Sequence, residues 1–133
     1  MIQILVISHN QFANGITSAV EMIAGKPEGF HFLGLTEELG FDSYAEKLEE
    51  KMLEINNPDG IIAFIDLFGG TPGNNFCIIK QKHPEIKCKG IAGMNLGMII
   101  ECIYARESND LDSLAKNLID VGKDCIKDLD ELM

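Results

Sequence analysis

The sequence predicts a single three-layer α/β domain with a mainly parallel sheet, spanning residues 1–133. Three observations carry that expectation. Strand-length apolar runs alternate with stretches of helical periodicity. One run, Gly60 to Asp66, is apolar on both faces, as a central parallel strand covered from each side must be. No repeat, linker or low-complexity stretch divides the chain.

The first strand is residues 1–8, Met1 to Ser8, which lacks the basic start and cleavage site of a signal peptide. A helix follows with Phe12, Ile16, Ala19, Val20 and Ile23 on one face, ending at Gly25 before Pro27. Phe30 to Leu35 reads as the second strand. Ser43-Tyr44-Ala45-Glu46 has the pattern of a capping box, in which the Ser43 oxygen and the Glu46 carboxylate each satisfy the other residue's open N–H. The second helix then carries Tyr44, Leu48, Met52 and Ile55 inward and stops at Asn56-Asn57-Pro58. After the third strand, Thr71 and Pro72 read as N-cap and first residue of a third helix. Residues 86–92 form a fourth strand, residues 95–106 a fourth helix, and a fifth helix begins near Asp110. The expected strand order is 2-1-3-4.

Composition narrows the function. The chain carries 21 acidic and 11 basic residues, for a net charge of −10. Such a surface repels nucleic acid and anionic lipid and suits a partner with a basic patch. No apolar run reaches membrane-spanning length. Cys77, Cys88, Cys102 and Cys125 form no Cys-x-x-Cys pair and read as small buried hydrophobes in a reducing compartment. No metal or cofactor is called for.

In a parallel α/β sheet the ligand site lies outside the carboxyl ends of the strands, at the switch point in strand order. Two loops meet there: Ser8-His9-Asn10 after strand one, and Asp66-Leu67-Phe68-Gly69-Gly70-Thr71-Pro72 after strand three. Neutral imidazole is a good nitrogen nucleophile, and one ring nitrogen attacks while the other needs an acceptor. Asp66 can supply that acceptor, fix the tautomer and stabilise the cation formed on phosphorylation. Gly69 and Gly70 allow close backbone approach, and the start of the third helix presents open N–H groups beside the Thr71 hydroxyl. The set is a nucleophile facing an anion cradle, which suits phosphoryl transfer. His31 and His83 have no such setting, and Arg106 is explained by charge complementarity at a helix end.

At these residues the sequence resembles the IIA components of mannose, fructose and sorbose type sugar phosphotransferase systems. The matching stretches are Ser8-His9 after a hydrophobic strand, Asp66 to Pro72 with Asn74, and Gly93-Met94-Asn95-Leu96. The resemblance implies a cytoplasmic phosphotransferase component that accepts phosphate from the carrier HPr on His9 Nε2 and passes it to a IIB component on a separate chain. It implies that Asp66 orients the imidazole and that Thr71 binds the phosphoryl group. It also implies a homodimer that exchanges a short C-terminal antiparallel strand, for which residues 123–129 are the candidate, although periodicity there equally suits a continuing helix. Two departures stand out: Gly97 occupies a position where the family often has proline, which suggests a more flexible loop, and Asn10 replaces a small residue. The sugar is not legible, because a IIA component does not touch it.

Two rival readings remain. The phosphotransfer subunit of dihydroxyacetone kinase shares the fold and the Ser-His start but generally lacks the Gly-Gly-Thr-Pro loop. A receiver-like or flavodoxin-like regulatory module needs an acidic pair or a Ser/Thr/Gly-rich loop where this chain has Ser8-His9-Asn10.

Overall fold

The computed structural model describes residues 1–133. Four strands, β1 (Gln3–His9), β2 (Phe30–Leu35), β3 (Ile61–Ile65) and β4 (Cys88–Ala92), form one sheet in the order β2-β1-β3-β4. All three pairings are parallel. Six helices surround it: α1 (Phe12–Ala24), α2 (Phe41–Ile55), α3 (Thr71–Lys82), α4 (Leu96–Ala105), α5 (Leu111–Asp124) and the short α6 (Leu129–Leu132). The three-layer architecture and the strand order are those expected from the sequence.

Successive side chains of a strand point to opposite faces, so β1 divides its residues between two cores. Ile4 and Val6 join Ile62 and Phe64 against α1, α4 and α5. Leu5 and Ile7 join Ala63 and Ile65 against α2 and α3. All five residues of β3 are buried, as a strand with helices on both sides requires. The inward face of α2 is Tyr44, Leu48, Met52 and Ile55, spaced as expected. Complete burial of a residue such as Leu48 contributes about 2 kcal/mol.

Several local expectations are corrected. The buried side of α1 is Ala13, Thr17 and Val20 with Ile16 at its margin, while Phe12 and Ile23 are exposed. Small residues let α1 lie close to the sheet, and the larger apolar ones ride outside. The Ser43 capping box does not form. Gly40 turns the chain through a positive φ of 75°, and α2 begins two residues before Ser43. Gly40 is held by its own N–H to the Thr36 carbonyl, and the Thr36 hydroxyl accepts the Leu39 N–H. At α3 the N-cap is Gly70, so Thr71 is the first helical residue and its hydroxyl caps nothing. Gly97 lies in the first turn of α4 rather than in a loop, and a side chain there would strike Cys125 Sγ. Asn95 caps α4 by accepting the Met98 N–H, and its amide donates to the Gly122 carbonyl.

All four cysteines are free. Cys88 and Cys102 are buried, and burial pushes the Cys102 thiol up to about 12. Cys77 and Cys125 are exposed, so the expectation of four buried residues holds for two. In the single chain α5 runs to Asp124, and Cys125 to Asp128 lead into α6 without pairing as a strand. No helix is long and apolar enough to cross a membrane.

Candidate functional site

The parallel sheet brings the ends of β1 and β3 side by side, with Ile7 opposite Ile65. The two following segments therefore leave the same rim, and their side chains meet. One carboxylate oxygen, Asp66 Oδ2, accepts two bonds from His9: the backbone N–H at 2.8 Å and ring Nδ1 at 2.9 Å. A carboxylate only accepts, so Nδ1 holds the hydrogen and Nε2 is left as the lone-pair nitrogen. The imidazole is 44% exposed and the carboxylate 11%. The imidazole is thus accessible while the carboxylate beside it is sheltered. The other oxygen, Asp66 Oδ1, is buried without a hydrogen-bond partner in the chain. Tyr44 packs beneath the rim; burial, and secondarily the Asp66 charge, push its hydroxyl well above its ordinary value, so it stays neutral.

Gly70 sets the distance between the imidazole and α3. A Cβ at this position would stand 2.6 Å from His9 Cε1 and 3.1 Å from Nε2. Any side chain would displace the ring, so this glycine is required for room. Gly69 has a positive φ of 85°, which turns the chain into the cap. The cap places the amino end of α3 beside Nε2. The Asn74 N–H is used by the Gly70 carbonyl, and Pro72 has none. Thr71 and Gly73 therefore present first-turn N–H groups without intrahelical partners, at the positive end of the helix dipole.

The opposite wall is built by β2 and the start of α2. Asn10 is the one non-glycine residue with positive φ, at 46°. Its N–H donates to the Leu35 carbonyl at 2.6 Å, and its carbonyl lies so close to Gly34 that a Cβ on Gly34 would overlap it. An open groove of about 550 Å³ runs from His9 and Asn10 past Leu35, Thr36 and Glu37 to Phe41. Phe41, Leu67 and Phe68 are exposed around this rim. No three His, Cys, Asp or Glu side chains converge as a metal site.

The structure thus brings His9, Asp66, Gly70 and Thr71 to one place, with Gly69 one residue behind the helix cap. The other two histidines lie elsewhere. His31 Nε2 pairs with Gln3 Oε1 at 2.9 Å, and burial holds its pKa below the usual value. His83 lies between Glu49 at 2.8 Å and Glu85 at 3.0 Å, and these hydrogen bonds raise its pKa. Arg106 is a buried clasp rather than a helix-end charge: it donates to the carbonyls of Ile2 and Glu28 at the far rim. Gly34 and Phe41 were missed as wall residues. Strand register alone places Gly34 opposite Ser8, beside the loop that carries His9.

Comparison with known proteins points to one family. A family model described as the fructose IIA component of the phosphotransferase system matches residues 3–119. The sorbose-specific EIIA component of Lacticaseibacillus casei is 27% identical, covering 98% of this chain and 93% of that relative. The mannose-specific EIIAB component of Escherichia coli (strain K12) is 24% identical over 96% of this chain, which spans only 39% of that relative's length. Among solved structures, phosphotransferase component EIIA from Streptococcus agalactiae superposes with a TM-score of 0.90 at 26% identity, covering 98% of this chain and 99% of that one.

Proposed function

This chain belongs to the IIA component family of sugar phosphotransferase systems of the mannose, sorbose and fructose type, and on that premise we propose that it is a phosphoryl carrier working through His9 Nε2. One observation supports the assignment above the others: Asp66 occupies Nδ1, and the remaining ring nitrogen faces Gly70 at the start of α3. The donor in this reading is phosphorylated HPr. Its N–P bond breaks as the bond from His9 Nε2 to phosphorus forms, and the HPr nitrogen recovers its electron pair. The His9 ring becomes cationic with its hydrogen retained on Nδ1, where the Asp66 carboxylate stabilises it. The Thr71 and Gly73 N–H groups and the Thr71 hydroxyl receive the phosphoryl oxygens, with Gly69 and Gly70 shaping the approach. A IIB component then removes the group by the same geometry in reverse.

The reading extends to a cytoplasmic homodimer. β4 ends the sheet with an unpaired edge, to which a strand from a second subunit can add. The test of the carrier assignment is phosphorylation by phospho-HPr. A label that is acid-labile and alkali-stable is expected, absent in His9→Ala and retained in His31→Ala and His83→Ala. Undiminished label on His9→Ala rejects the assignment.

A further inference from the structure

Ser8 is one of only three buried residues in the chain that are polar or charged, and it immediately precedes His9. It is the next-to-last residue of β1, follows four buried apolar residues, Ile4 to Ile7, and is itself fully enclosed. A hydroxyl in such a place is costly unless both its donor and acceptor functions are used. Both are. Ser8 Oγ accepts the Ala13 N–H at 2.7 Å and donates to the His9 carbonyl at 3.0 Å. Ala13 lies in the first turn of α1, whose N-cap, Gln11, makes no side-chain capping bond. The serine therefore does the work of a missing cap from outside the helix, and at the same time restrains the backbone of the residue that follows it.

We propose that Ser8 is a positioning residue for His9, fixing the main chain from which the imidazole is presented to Asp66 and α3. The inference rests on the phosphoryl-carrier reading but has a structural consequence of its own. His9 is held at three polar points: its N–H and Nδ1 by Asp66, and its carbonyl by Ser8. Asn10 then leaves in a left-handed conformation, which asparagine tolerates better than most non-glycine residues. Removing the Ser8 hydroxyl frees the carbonyl of His9 and the first turn of α1 together. Of the three, only the two Asp66 bonds then remain to define the direction of Nε2. A ring displaced by a fraction of an ångström from in-line geometry loses rate without losing partner affinity.

The experiment compares the intact chain with Ser8→Ala, and with Ser8→Cys as a second variant of similar size with weaker hydrogen bonding. Two readouts are taken. In phosphorylation by phospho-HPr, the rate at saturating donor is expected to fall about tenfold while the half-saturating donor concentration stays constant. In ¹⁵N spectra of the neutral His9 ring, the wild type is expected to show the Nδ1–H tautomer and the variants a mixture. The second readout needs no phosphate, so it judges Ser8 even if the wild type accepts none and the carrier reading itself fails. A folded variant with the wild-type tautomer overturns the proposal. So does a loss expressed only as a higher half-saturating concentration, since that is a docking effect.

Discussion

The two rims of the sheet solve the same problem to opposite ends. At each, a polar side chain from one segment reaches the backbone of another. At the amino rim the side chain is Arg106, buried at the end of α4, which donates to the carbonyls of Ile2 and Glu28 across more than half the sequence. Nearby, Asn57 closes the turn before β3 with bonds to Ile55, Asp59 and Gly60. At the carboxyl rim the side chain is Asp66, which takes the N–H of His9 but also holds its ring. The first arrangement presents no reactive atom to solvent. The second leaves the His9 ring and the left-handed Asn10 exposed at one edge, beside the amino end of α3. If the proposed function holds, stability and chemistry fall at different ends of the same strands.

That division is tested most strongly at Arg106. Arg106→Ala strands two carbonyls that a charged donor now serves, and it is expected to cost about 3 kcal/mol of folding stability. Denaturant titration checks the loss, and the phosphorylated fraction of the folded protein should be unchanged. Asp66→Asn is the converse. Its amide keeps the shape but places no negative charge on Nδ1–H, and the transfer rate should fall on the order of 10²-fold with the unfolding midpoint nearly unmoved. An Asp66→Asn protein that loses stability instead would erase the contrast between rims. Gly70→Ala should slow transfer about tenfold by pushing the imidazole off the α3 axis, again with a cooperative unfolding transition.

The smallest effect belongs to His83, away from the carboxyl rim. Hydrogen bonds that its ring donates to Glu49 first and Glu85 second raise its pKa in the folded state. A raised pKa contributes stability that is fully present below the unfolded value of about 6.5 and is lost as pH rises through the folded value. Glu49 and Glu85 are themselves held below the usual carboxylate range, so both are charged in that window. Wild type should therefore exceed His83→Gln in unfolding midpoint near pH 6, and the gap should close at alkaline pH. Transfer to His9, compared at one pH, should not follow the substitution.

What the sequence made legible follows from the range of the forces involved. Strand runs such as Ile61 to Ile65 and the inward face of α2 are set by burial along one element, and they read directly. The meeting of His9 with Asp66 follows from parallel strand order, which the alternation of elements also implies. Features set by a neighbour in space did not read. The Ser43 box lost to a glycine turn at Gly40, and the apolar stripe of α1 lost to the small residues beside it. Arg106 looked like a helix-end charge because nothing in its local sequence marks carbonyls 78 and 104 residues away. Gly70 was legible as a residue that allows close backbone approach, whereas its contact with the imidazole is tertiary.

The most direct measurement is the position of phosphate on the His9 ring. Phosphorus–nitrogen couplings in the ¹⁵N-labelled phosphoprotein distinguish the two ring nitrogens. The account predicts phosphate on Nε2, with the Nδ1 hydrogen still bonded to Asp66. Phosphate on Nδ1 would require that bond to be broken, and would contradict it.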